Sequence, residues 1–156
     1  MLDKIKILLF GLLFGVCIRL FDIYTNILGN IFSSISVFIL IGVIIVLKSN
    51  TRKNSMINVL IFFLSMLLTY YLTAFITHGV YGKSYIIGWT IVALLSPLFA
   101  YFTYFIKSNN KISKIIKLGI ILVTILSSYV LFENIYFYDY IVLLILIYLF
   151  YFKKNR

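Results

Sequence analysis

The sequence predicts an all-α fold: a polytopic membrane bundle of six transmembrane helices with both termini cytoplasmic. Three observations predict it. The first is composition, since 63% of the 156 residues are hydrophobic and only 12% are charged. A soluble domain is nearer half apolar, with about a quarter of its residues charged. The second is patterning, because the apolar residues fall into six runs separated by short polar breaks. The third is charge, since twelve of the 14 Lys and Arg residues collect at the termini and in alternate breaks.

The runs follow in order. The first covers 5–27, and Leu28-Gly29-Asn30 after it reads as a turn. The second covers 31–47 and ends in the basic loop from Lys48 to Asn54. The third covers 56–76, and Thr77 to Ser84 breaks the chain again. The fourth covers 85–106 and the fifth 115–132, with a basic break from Lys107 to Lys111 between them. The sixth covers 136–152 and leads into Lys153-Lys154-Asn155-Arg156. A spanning helix needs about 17–25 residues, so all six qualify, the second and sixth at the short end. No linker is long enough to separate a second domain, so 1–156 reads as one transmembrane domain.

Orientation follows from loop Lys and Arg. The N-terminus, the second and fourth loops and the C-terminus carry twelve of them; the other side carries only Arg19 and Lys83. That asymmetry places both termini in the cytoplasm, and the alternation stays consistent only for an even number of spans. Arg19 and Asp22 lie where a signal-peptide cleavage site would fall, so the first run reads as a retained helix. The net charge of +10 sits in short clusters between apolar runs. It therefore reads as anchoring at an anionic bilayer face and not as nucleic-acid binding. The excess of Lys over Arg and the many Ile, Asn and Tyr residues point to an AT-rich bacterial genome and a cell-membrane location.

Four ionisable residues interrupt the apolar runs. By helical rise, Arg19 lies about 20 Å and Asp22 about 24 Å from Lys6, Glu133 about 24 Å from Lys117, and Asp139 about 21 Å from Lys153. In a hydrocarbon core of about 30 Å, all four fall in the outer third, together with Ser33, Ser34, Tyr70, Tyr71, Trp89 and Thr90. Intramembrane charges pair with one another or line a wet cavity. Two readings stay open: a structural rim with an Arg19 salt bridge, or an outward-facing polar pocket made by Arg19, Asp22, Tyr70, Tyr71, Trp89, Glu133 and Asp139. Arg19 has Asp22 three residues on, and Glu133 and Asp139 are the other candidate partners of the arginine.

Gly11 and Gly15 form a G-x-x-x-G, which lets another helix approach closely, within the chain or from a partner subunit. Pro97 removes a backbone hydrogen bond and predicts a kink in the fourth helix. Thr124, Ser127 and Ser128 are expected to bond locally or across helices. Cys17 is the one cysteine and His78 the one histidine, so neither a disulfide nor a metal centre is expected, and no cofactor motif is present. An intramembrane acid enzyme would need Asp22 and Glu133 face to face, and no catalytic residue is assigned.

The order of G-x-x-x-G-x-x-x-R, Leu28-Gly29-Asn30 with following serines, Tyr70-Tyr71, Trp89, Ser96-Pro97-Leu98-Phe99 and Glu133 resembles an uncharacterised family of small bacterial multi-helix integral membrane proteins. Ala100 stands where that family usually has glycine. The family has no activity to carry over. In size and topology the chain is also similar to the substrate-binding subunits of energy-coupling-factor transporters. Those bind ligand near the outer face and meet a coupling subunit through small residues of helix one, where Gly11 and Gly15 stand here. The resulting expectation is a membrane protein that binds or transports a small molecule, with the lipid bilayer and a membrane subunit as partners. The alternative is a non-catalytic accessory or immunity-type protein acting through protein contacts.

Overall fold

The computed structural model describes residues 4–79, 82–108, 110–132 and 136–152. The described residues form helices and short connections, with no strand among them. In order they are α1 (Lys4–Tyr24), α2 (Asn26–Phe32), α3 (Ile35–Lys48), α4 (Arg52–Ile76), α5 (Lys83–Thr103), α6 (Lys111–Phe132) and α7 (Phe137–Ile147). A 3-10 turn over Tyr104–Lys107 extends α5, and a π turn over Tyr148–Phe152 extends α7. Four helices are long and apolar enough to cross a membrane: α1, α4, α5 with its 3-10 turn, and α6. α3, and α7 with its π turn, are apolar but shorter.

The expected second run is divided, and the reason is local. Thr25 takes an extended conformation and ends α1. Leu28-Gly29-Asn30, expected as a turn, instead lies inside the seven-residue α2. The break comes later, at Ser33-Ser34. There Ser34 is extended (ψ 143°) and its hydroxyl accepts from the Val37 amide, capping α3. Serine suits such a cap because its side chain replaces a missing intrahelical partner.

α1 and α4 form the tightest pair. A Cβ on Gly11 would stand 2.0 Å from Ser65 Oγ, and one on Gly15 would stand 2.2 Å from the Met66 carbonyl oxygen. Thr69 Oγ1, at the same crossing, donates to the Leu12 carbonyl at 2.8 Å. The G-x-x-x-G face is thus filled by α4 of the same chain, which leaves no room there for a second protein. Of the two uses the sequence left open, this is the intramolecular one.

Two apolar clusters build the interior. One joins Ile7 and Ile18 of α1, Ile45 and Val46 of α3, Phe62 and Met66 of α4 and Ala100 of α5. The other joins Val43 of α3, Ile106 and four residues of α7 and its π turn. α3 belongs to both and is the wall between them. α5 and α6 touch each other little along their length. At the basic end, Lys107 and Asn58 reach Ser49 and Tyr104 reaches the Asn50 carbonyl, which ties α5 and α4 to the α3–α4 loop.

α5 runs unbroken through Pro97. Proline cannot donate to the carbonyl four residues back, which here belongs to Ala93. The Ser96 hydroxyl takes that place, donating to the Ala93 oxygen at 2.7 Å.

Candidate functional site

The polar residues of the expected layer resolve into two separate clusters. In the first, both oxygens of Asp22 are occupied. Tyr70 Oη donates to Oδ2 at 2.9 Å, and Ser33 Oγ donates to Oδ1 at 3.1 Å. α2 can fold back this far because Gly29 lies against Asp22: a Cβ there would stand 2.7 Å from Oδ1. Arg19 does not pair with Asp22. Its Nε donates to Thr77 Oγ1 at 3.4 Å, its guanidinium rests on Gly79, and it lies near Tyr70. The expected intrahelical salt bridge is therefore absent among the described residues. Two hydroxyls hold the carboxylate and the α4 terminus holds the guanidinium. All three of Arg19, Asp22 and Tyr70 are half-buried.

The second cluster centres on Asp139, which is 2% exposed. Ser36 Oγ donates to its Oδ1 at 2.5 Å and Ser128 Oγ donates to the same oxygen at 3.1 Å. The other oxygen accepts from the Tyr136 amide at 3.0 Å, so Asp139 also caps the helix it belongs to. This side chain fastens α3, α6 and α7 at one point. It does not share a site with Asp22. Between the clusters, Ser34 and Ser36 hydroxyls meet at 3.0 Å. The Ser33-Ser34-Ile35-Ser36 segment thus serves one carboxylate with its first serine and the other with its last.

The remaining expected members lie elsewhere. The Tyr71 ring packs edge-on against Tyr70 and faces a shallow groove with Leu68, Phe75 and Thr90. Glu133 lies outside the described residues. Trp89 is not in the polar layer. It packs edge-on against Phe38 and lines a cavity of about 540 Å³ between α3, α4, α5 and α6. That volume is within the roughly 300–1,000 Å³ range of small-molecule pockets. Along α3 the cavity runs from Ile35 to Val46, about 16 Å by helical rise. Its lining is almost wholly apolar. Ser96, Ser127 and Thr103 contribute hydroxyls and Trp89 an indole N–H, and the two serines each donate to a carbonyl of their own helix. Width comes from small residues: nothing lies within 4 Å of a Cβ built on Gly119, and Gly42 meets only the Phe63 ring at 3.9 Å.

The cavity and the first polar cluster adjoin. Met66 lines the cavity, and Tyr70 is one turn further along the same face of α4. Ile35 lines it too, two residues from Ser33. The Asp22–Tyr70–Ser33 cluster therefore lies about one helical turn beyond the chamber, and none of its three side chains is part of the lining.

Comparison with protein-family models, curated proteins and solved structures finds no match.

Reasoning from sequence missed Ser36 and Thr77 as partners, and missed the chamber. The serines were visible as a short polar run between apolar ones. The chamber has no such signal, because Gly42 and Gly119 are far apart in sequence and each looks like an ordinary helical glycine. Asn58 was missed as well. It is buried, and its Oδ1 has no hydrogen-bond partner among the described residues.

Proposed function

We propose that the protein is a membrane-embedded binding protein for a small amphipathic molecule. The apolar body of that molecule occupies the chamber between α3, α4, α5 and α6. Its polar end reaches beyond the chamber toward Asp22, Tyr70 and Ser33, with Arg19 beside it. The observation that carries this reading is the chamber itself. It is large enough for a ligand and almost free of polar lining, and the half-buried Asp22–Tyr70–Ser33 cluster lies about one helical turn beyond it. Apolar walls with a few placed polar groups are the usual make-up of a small-molecule site. Six crossings with cytoplasmic termini would put the Asp22–Tyr70–Ser33 cluster toward the outer face, so the ligand would be presented on that side. A partner subunit that drives release would dock on a surface other than the G-x-x-x-G face of α1.

A thermal-shift titration of the detergent-purified chain tests this, using alkyl-chain amphiphiles with anionic, cationic and zwitterionic heads. We expect at least one head class to raise the unfolding temperature of the wild type. Gly42→Leu, which fills the chamber, should abolish the rise. Tyr70→Phe and Arg19→Ala should reduce it. If no amphiphile stabilises the wild type, the reading fails and the accessory-protein alternative takes its place.

A further inference from the structure

We propose that the chamber is a lipid-chain site, loaded sideways from the bilayer through the gap between α5 and α6. The inference rests on the reading of the chamber as a ligand site, and it names both the ligand class and the route. α5 and α6 both line the chamber, yet they touch each other far less than α4 and α5 do. On the α5 side of the gap, Val92 and Phe99 line the chamber yet are 48% and 60% exposed; on the α6 side, Val123 is 56% exposed. The chamber is therefore open along this seam. All three residues lie well inside helices long enough to span, so the opening faces hydrocarbon and not water.

The occupant follows from that position. An apolar cavity does not hold water without several polar partners for it. The hydroxyls of Ser96 and Ser127 are already committed to their own helices, and the other two polar groups of the lining, on Trp89 and Thr103, lie about 21 Å apart by helical rise, too far to share a water. The medium outside the gap is acyl chain. A void left empty forfeits the dispersion contacts of its walls, so a chain that enters gains contacts on every side. The length agrees: a chamber that runs about 16 Å along α3 by helical rise can take an extended chain along its axis. α5 also carries its one weak point at the gap. Pro97 takes the backbone amide out of the ladder there, and a side-chain hydroxyl replaces it.

Trp89 is the chain's single tryptophan and lies in the chamber wall, so its fluorescence reports the occupant directly. The full-length protein is reconstituted into vesicles of phosphatidylcholine brominated at mid-chain, with unbrominated vesicles as reference. Bromine quenches tryptophan only at close range. Gly42→Leu and Gly119→Leu fill the chamber. Gly88→Leu is the matched control, because it adds the same side chain to α5 in open space outside the lining. Wild type and Gly88→Leu should be strongly quenched, and the two filling variants should lose most of that quenching. Equal quenching in all four would mean that only surrounding lipid reaches Trp89, and the inference would fall. A second measurement needs no variant. Phosphatidylcholine with a photoactivatable diazirine at mid-chain should leave adducts on Ile39 and Gly42 of α3, which a chain reaches from inside the chamber. Adducts confined to the lipid-facing sides of α5 and α6 would overturn the proposal. Failure here with a positive amphiphile shift leaves the binding reading standing and removes only the lateral lipid route. Failure of both removes the ligand site altogether.

Discussion

Asp22 and Asp139 show how a carboxylate is kept inside an apolar bundle without a cation. Each is held by hydroxyl donors, and Asp139 adds the amide of its own helix cap. Hydrogen bonds to an ionised acceptor are shorter and stronger than neutral ones, and none of these donors is a charge that must itself be desolvated. The cost of removing such a side chain falls on what it leaves behind. Asp139→Ala would strand the Tyr136 amide and leave the buried Ser36 hydroxyl with Ser34 alone. We expect a loss of about 2–4 kcal/mol, since an unsatisfied buried polar group costs roughly 1–3 kcal/mol. Asp139→Asn keeps one acceptor oxygen for the serines but turns a donor toward the Tyr136 amide, so it should lose less. Chemical denaturation in detergent micelles, followed by helical circular dichroism, ranks the two. Equal stability of Asp139→Ala and wild type would show that the three-helix junction carries no energy.

At the scale of elements, α1 against α4 is the most constrained pairing. The Cβ atoms of Gly11 and Gly15 would overlap the facing backbone or hydroxyls, so neither position can take a larger residue without parting the helices. Gly15→Leu should lower the yield of folded protein and the unfolding temperature far more than Gly119→Leu, where the space is open. Size-exclusion profiles and thermal melts of the two variants side by side test this; similar melts would contradict the packing. Much of this scale was legible in sequence. The G-x-x-x-G, the basic breaks and the four long apolar runs each have a local physical cause that residues alone display. The division of the second run was not legible. A serine pair in an apolar stretch is compatible with a continuous helix, and only the distant acceptors Asp22 and Asp139 make the break favourable. The Arg19–Asp22 pair was misread for the same reason. Three-residue spacing permits it, but Tyr70, Ser33 and Thr77 arrive from other helices to compete. Depth counting placed Asp139 and Asp22 at one level, and it carries no information about which helices lie between them.

For the whole molecule, the described residues form an all-α bundle with four helices able to cross a membrane and two shorter apolar ones. α3 covers about 21 Å by helical rise, less than a hydrocarbon core of about 30 Å. It crosses only with help from α2 and the Ser33-Ser34 link, or where the bilayer thins around it. If all six apolar segments cross, both termini lie on the same side, and the loop charges predict that this is the cytoplasmic one. Tags at the two termini of the protein in intact cells should then be protected from external protease and become cleavable only after the membrane is opened. Cleavage of one tag from outside would mean an odd number of crossings, and α3 is the first segment to suspect. The same placement decides which leaflet supplies the Tyr70 end of the chamber, so topology and ligand presentation stand or fall together.

The hydrogen bond from Ser36 to Asp139 joins residues 103 positions apart, and this has a consequence for the order of assembly. A chain made from its N-terminus completes α1, α4 and α5 while α6 and α7 do not yet exist, and those three already share a core. α3 is made before α4, yet its buried serine and half of its apolar surface are matched only by segments that come last. Through most of synthesis α3 therefore has one face packed with α1, α4 and α5 and its other face incomplete, and the final helix closes that second face. Removing α7 would leave one face of this much earlier helix, and its buried Ser36, without the match that the last segment brings.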